Sequence, residues 1–72
     1  MKSRFIQDLC GNKYYITEAV TNDGYKYTEV YEVINIDGQE MKTYLCGLDT
    51  VFQADDNDIL DEIAAYMEGE NN

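Results

Sequence analysis

The chain contains no histidine, no proline and no tryptophan, only two cysteines, and only five lysines and arginines among 72 residues. Each shortage closes off some chemistry. Without imidazole there is nothing to activate a serine or cysteine nucleophile, or to carry a proton near neutral pH. Zinc sites built from His and Cys lose most of their ligands. Five basic residues against fifteen acids leave a formal charge of -10, whereas direct nucleic-acid binding depends on Lys and Arg neutralising phosphates. No apolar run approaches the roughly twenty residues a spanning helix needs, and no polybasic amphipathic segment offers a membrane-surface anchor. The expectation is a non-enzymatic domain with no cofactor, no metal, no direct nucleic-acid contact and no membrane association. The run Asp55-Asp56-Asn57-Asp58 has the composition of a calcium loop but lacks the turn glycine and the bidentate glutamate twelve positions from its start.

Compartment and redox state follow from the same scarcity. Met1-Lys2-Ser3-Arg4-Phe5-Ile6-Gln7-Asp8 has basic residues with no apolar core behind them, so no secretory signal is read there and a cytoplasmic setting is expected. Cys10 and Cys46 lie far apart in sequence, unlike a redox pair or a metal knuckle. They are expected as small, buried, reduced side chains, with a disulfide between the first segment and the last strand as the alternative.

What the chain does have is β-rich sequence punctuated by glycine. Cys10-Gly11-Asn12, Asn22-Asp23-Gly24 and Ile36-Asp37-Gly38 separate runs rich in Tyr, Val, Ile and Thr, residues that suit a pleated surface. Asp-Gly between such runs is a strong hairpin signal, because the turn needs positive φ angles. A two-residue loop at Asp23-Gly24 would set Glu18 across from Glu29, and like charges opposite one another weaken a ladder. A loop one residue longer, ending in a bulge at Gly24, pairs Ile16 with Val30, Tyr15 with Tyr31 and Thr17 with Glu29, and is favoured for avoiding that clash. The alternative register would make Glu18 and Glu29 the chain's one candidate catalytic dyad.

Residues 3–10 read either way. Phe5, Ile6, Leu9 and Cys10 recur at helical spacing, while Phe5, Gln7 and Leu9 could line one face of an edge strand; the strand is preferred because Gly11-Asn12 also reads as a hairpin loop. The C-terminal region is clearer. Acids at Asp55, Asp56 and Asp58 suit a helix N-terminus, and Ile59, Leu60, Ile63, Ala64, Tyr66 and Met67 form one apolar stripe. Gly69 is expected to end that helix. The predicted fold is one α+β domain over residues 1–72: an antiparallel meander of three to four strands in 1–54, an amphipathic helix at 55–68 packed on one face, and a frayed tail at 69–72.

Charge is unevenly distributed. All five basic residues lie in the first 42 positions, whereas the last thirty hold eight acids and no base. Asp58, Asp61, Glu62 and Glu68 fall on the helix face opposite the apolar stripe, where neighbours three and four apart repel one another. A surface helix serving only as structure more often intersperses lysine. The candidate partner-binding residues are therefore Asp55, Asp56, Asp58, Asp61, Glu62 and Glu68, with Tyr25, Tyr27 and Tyr31 adding contact area, since exposed tyrosine is an efficient interface anchor.

In composition, through the acids from Asp49 to Glu70 and the strand tyrosines, the chain resembles the small acidic inhibitors of host defence and DNA processing that phages and mobile elements encode: anti-CRISPR proteins, anti-restriction proteins and uracil-DNA-glycosylase inhibitors. The resemblance rests on no shared motif. It implies a protein that inhibits a basic nuclease or similar partner by occupying its nucleic-acid site with a phosphate-like surface. The alternative is a generic small interaction or accessory domain, monomeric or homodimeric through an uncovered tyrosine face, whose acidity serves solubility.

Overall fold

The structure is a computed structural model that describes residues 2–70. Four strands, β1 (Ser3–Gln7), β2 (Lys13–Val20), β3 (Lys26–Ile36) and β4 (Gln39–Leu48), form one antiparallel sheet in the order β1-β2-β3-β4, and a single helix, α1 (Asp56–Glu70), follows. The α+β meander with a C-terminal helix is the architecture the sequence predicts, and residues 3–7 take the strand alternative. The ambiguity there is resolved by pairing: Phe5 lies opposite Tyr15 and Ile6 opposite Tyr14, so both faces of β1 gain cross-strand partners.

The turns show why these strands meet in this register. At the β2–β3 connection Gly24 has φ +87°, and its N–H donates to the Thr21 carbonyl at 3.0 Å. This is the longer loop, and it pairs Ile16 with Val30, Tyr15 with Tyr31 and Thr17 with Glu29. At the β3–β4 turn Asp37 and Gly38 both have positive φ, 53° and 85°, the two-residue geometry whose twist matches that of a hairpin.

The β1–β2 turn is organised by one side chain. Asp8 Oδ1 accepts from the backbone N–H groups of Cys10 at 3.0 Å and Asn12 at 2.8 Å, and Oδ2 accepts from the Asn12 amide at 2.9 Å. The Asn12 side-chain bond leads in holding the Asp8 carboxyl below its ordinary range, against the opposing effect of desolvation and with help from the backbone N–H groups. In the next turn the Thr21 hydroxyl does the same for Asp23. A depressed folded-state pKa stabilises the fold above the unfolded value and loses that contribution as pH falls through the folded one. Urea denaturation should therefore show stability declining on acidification below about pH 4, near the ordinary carboxylate pKa. Asp8→Asn should flatten that acid limb; an unchanged limb in the variant would overturn the role given to Asp8.

The core lies between the sheet and α1. Ile6, Tyr14, Ile16, Val30, Cys46 and Leu48 from the strands meet Phe52, Ile59 and Ile63, and Leu60, Tyr66 and Met67 pack at the margin. Ile59 and Ile63 are one turn apart and fully buried, as the apolar stripe requires. Thr28 is buried as well, and its hydroxyl donates to the Thr50 carbonyl at 2.6 Å, which ties the connection leaving β4 back to the sheet.

Two details differ from the sequence reading and a third lies outside it. Helix α1 runs through Gly69 to Glu70: without a Cβ, glycine is tolerated in a helix at about 1 kcal/mol relative to alanine, and nothing there imposes a left-handed cap. The rest of the expected frayed tail, Asn71 and Asn72, lies outside the described residues. Cys10 is exposed, because the Asp8-centred turn carries it away from the sheet, while Cys46 is buried; both thiols are free, and burial pushes the Cys46 thiol up. Finally, the β3–β4 hairpin extends beyond the helix, leaving Ile34, Ile36 and Met41 exposed near its tip. The molecule is accordingly elongated, 40 × 29 × 22 Å with a radius of gyration of 12.4 Å, against about 11 Å for a compact chain of this length.

Candidate functional site

The helix presents its acids as the apolar stripe dictates. At about 100° per residue, burial of Ile59 and Ile63 turns Asp58, Asp61, Glu62 and Glu68 outward, and all four are exposed. Among the described residues, the ion pairs are Arg4–Asp56 at 2.9 Å and Lys13–Glu40 at 2.8 Å. None of those four carboxylates has a cation within ion-pair distance. Asp58 to Glu68 spans about 15 Å of helix axis at about 1.5 Å per residue. Four carboxylates over that length average one per about 5 Å, sparser than the one phosphate per about 3.4 Å of a single DNA strand.

The other two acids of the candidate set have structural duties. The Asp55 carbonyl accepts the Ile59 N–H at 3.1 Å and its Oδ1 accepts the Asn57 N–H at 2.9 Å, placing it at the helix cap. Asp56 is held by the Arg4 guanidinium. The acidic face therefore reduces to Asp58, Asp61, Glu62 and Glu68.

The tyrosines do not join that surface. Side chains alternate faces along a strand, and the observed register sends Tyr31 away from α1. Phe5, Tyr15, Tyr31 and Tyr44 form one row across all four strands, with ring centroids 5.0, 6.1 and 5.5 Å apart. Tyr27 and Tyr44 flank Gly47, where a Cβ would lie 3.5 Å from either side chain. Tyr25 is exposed in the β2–β3 connection, and Tyr14 alone among the strand tyrosines is in the core. The expected single surface of carboxylates beside tyrosines is thus two surfaces, one on each layer of the fold.

Sequence reasoning missed the remaining members of the aromatic face. Lys42 Nζ sits 4.1 Å from the Tyr15 centroid and 5.5 Å from that of Phe5, and Lys13 Nζ lies 4.6 Å from Phe5, distances at which a cation is attracted to a ring face. The Tyr31 hydroxyl donates to Glu29 at 3.3 Å. Partial desolvation, with Glu29 nearby, raises the pKa of both Tyr31 and Tyr44. The signal that could have found part of the row was the predicted Tyr15–Tyr31 pairing, extended by one strand to Phe5.

A cleft of about 450 Å³ opens between the later turns of α1 and the β1–β2 turn, with Tyr14, Leu60, Ile63 and Met67 in its wall and Asp8 and Glu32 among its polar lining. Burial, and then the charges of Asp8 and Glu32, raise the Tyr14 pKa. The cleft contains no nucleophile paired with a base. Glu18 and Glu29 form no dyad either: Glu18 lies opposite Thr28 and accepts from Gln53 at 3.0 Å, whereas Glu29 points to the aromatic face. Among the described residues no group of three or more acids and cysteines is placed to hold a metal ion, and no helix is long and apolar enough to cross a membrane. No protein-family model, curated protein or solved structure matches this chain.

Proposed function

We propose that the chain is a non-catalytic binding protein that occupies the basic nucleic-acid site of a partner protein with the outer face of α1 and thereby inhibits it. The observation that carries this reading is the row Asp58, Asp61, Glu62 and Glu68, exposed on one rigid element with no cation within ion-pair distance among the described residues. Asp58 repels Asp61 and Glu62, three and four positions further on, so the row costs the isolated chain stability that a cationic groove would return. A partner built to grip phosphate would find charge of the same sign on a rigid element, and steering between opposite fields gives fast, salt-sensitive association. The compositional resemblance to phage-borne inhibitors such as anti-CRISPR proteins supports the same reading, which places the chain in the cytoplasm, where the exposed Cys10 thiol stays reduced.

The test uses a panel of purified basic nucleases and DNA glycosylases, with binding measured at low and high salt and in competition with duplex DNA. The wild-type chain should bind a member of the panel, displace its DNA and lose affinity steeply with salt. Reversing Asp58, Asp61 and Glu62 to lysine together should abolish binding while the circular dichroism spectrum is retained. Unchanged affinity in that variant would falsify the proposal, as would binding that ignores salt.

A further inference from the structure

The sheet face turned away from α1 is uncovered, and its charges are arranged differently from the rest of the molecule. Three rows cross it. Lys13 and Lys42 lie in a row through Val33, since Val33 pairs with Lys42 and Lys13 directly precedes the Tyr14–Glu32 pair. The aromatic row Phe5, Tyr15, Tyr31 and Tyr44 comes next. Thr17, Glu29 and Gly47 form the third. Two residues further along β3 and β4, past the cationic row, Asn35 lies opposite Glu40, and Glu40 is paired with Lys13. Lys42 and Glu29 remain, one charge of each sign, on opposite sides of the aromatic row. In a chain of net charge -10, this face is neutral.

We propose that this face is a homodimer interface, with two copies packed sheet to sheet about a two-fold axis that runs along the aromatic row. A two-fold interface must be self-complementary, and two in-plane axes are available. An axis parallel to the strands would lay the lysine row of one copy on the lysine row of the other. An axis along the aromatic row reverses the strand direction in the partner and brings Lys42 of each copy over Gly47 in the other's Glu29 row, one strand (about 4.8 Å) from Glu29, twice by symmetry, with the rings of both copies interleaved between. Charge selects the second. Phe5 and Tyr44, each about half exposed, are the rings that gain most from being covered. The arrangement also accommodates the net charge. With layers about 10 Å apart, the two acidic helices lie about 30 Å from one another on the outside, several times the screening length of about 8 Å at physiological salt. Each outer surface stays free.

The experiment is light scattering and sedimentation of the full chain over a micromolar-to-millimolar dilution series. Wild type should approach twice the 8.3 kDa chain mass. Lys42→Glu and Glu29→Lys should each weaken association at least about tenfold, because each sets like charges together at two symmetric points. The double swap should restore it. Tyr44→Ser, which leaves every charge in place, should also weaken association and serves as the check should a charge variant fail to fold. The helix triple reversal should leave the dimer intact, so failure of this interface is distinguishable from failure of the acidic face. A wild-type monomer across the series overturns the proposal. A dimer insensitive to Tyr44→Ser and the charge variants, or one that the swap does not rescue, overturns it equally.

Discussion

Ile63→Ala should leave this protein only marginally folded, with a melting temperature lowered by about 10–30 °C. Ile63 is 1% exposed, and truncating a buried isoleucine to alanine costs about 2–5 kcal/mol in lost transfer energy and residual cavity. At about 0.05–0.15 kcal/mol per residue, 72 residues hold only about 4–11 kcal/mol in all. In a domain of this size each kcal/mol moves the midpoint by about 4–8 °C.

The helix has few other anchors. Fifteen residues with repelling acids and no basic residue in the last turn would be marginal as a free helix, so α1 exists because Ile59 and Ile63 are held against the sheet. The helical circular dichroism and the tyrosine signal should therefore collapse in one transition. Ile63→Val removes a single methylene and should cost about 0.5–1.5 kcal/mol. An Ile63→Ala protein that melts within a few degrees of wild type would mean that the sheet carries the fold without its helix.

The helix stripe and the β2–β3 hairpin were both legible because local chemistry and global packing agree there. The spacing of Ile59 and Ile63 names a buried face without reference to anything else, and the clash between Glu18 and Glu29 tips the choice at Asp23-Gly24 toward the longer loop, the register observed. The aromatic face was harder to read because it depends on a defect in β4. Tyr44 pairs with Tyr31 while Cys46 pairs with Val30, so the register shifts between Val30 and Tyr31 and Leu45 is the extra residue. Strict alternation would put Tyr44 and Cys46 on the same side; the bulge turns one into the open row and the other into the core. No residue type in Tyr44-Leu45-Cys46 signals a bulge. Nor could spacing alone show that the tyrosines and the acidic helix lie on opposite layers, since that follows from which face the helix chooses.

Arg4 was the other feature hidden from sequence, and removing it gives the second large effect. Its guanidinium reaches a segment 48–52 positions away: Nη1 donates to the Phe52 carbonyl at 2.7 Å, Nη2 to the Ala54 carbonyl at 3.0 Å, and Nε to Asp56 Oδ1 at 3.0 Å, while Cζ lies 4.6 Å from the Phe52 ring centroid. One planar fork thus fixes the irregular 49–55 connection and the start of α1 to the edge strand.

Two contributions can be separated by size. The Asp56 carboxylate is 55% exposed, so the ion pair should be worth at most about 1 kcal/mol. Hydrogen bonds from a charged donor to the two carbonyls are worth about 1.5–3 kcal/mol each where burial is substantial, and less at a side chain that is 30% exposed. Arg4→Ala should accordingly cost about 2–3 kcal/mol by urea denaturation, and Asp56→Asn less than about 1 kcal/mol. Arg4→Lys should recover little, because an ammonium is a point donor that cannot span three acceptors set at the angles of a fork. Limited proteolysis should locate the damage, with new cleavage between residues 49 and 55 in Arg4→Ala and not in Asp56→Asn. If the two variants instead lose equal stability and share a cleavage pattern, the clamp is the ion pair alone and the carbonyl contacts contribute nothing.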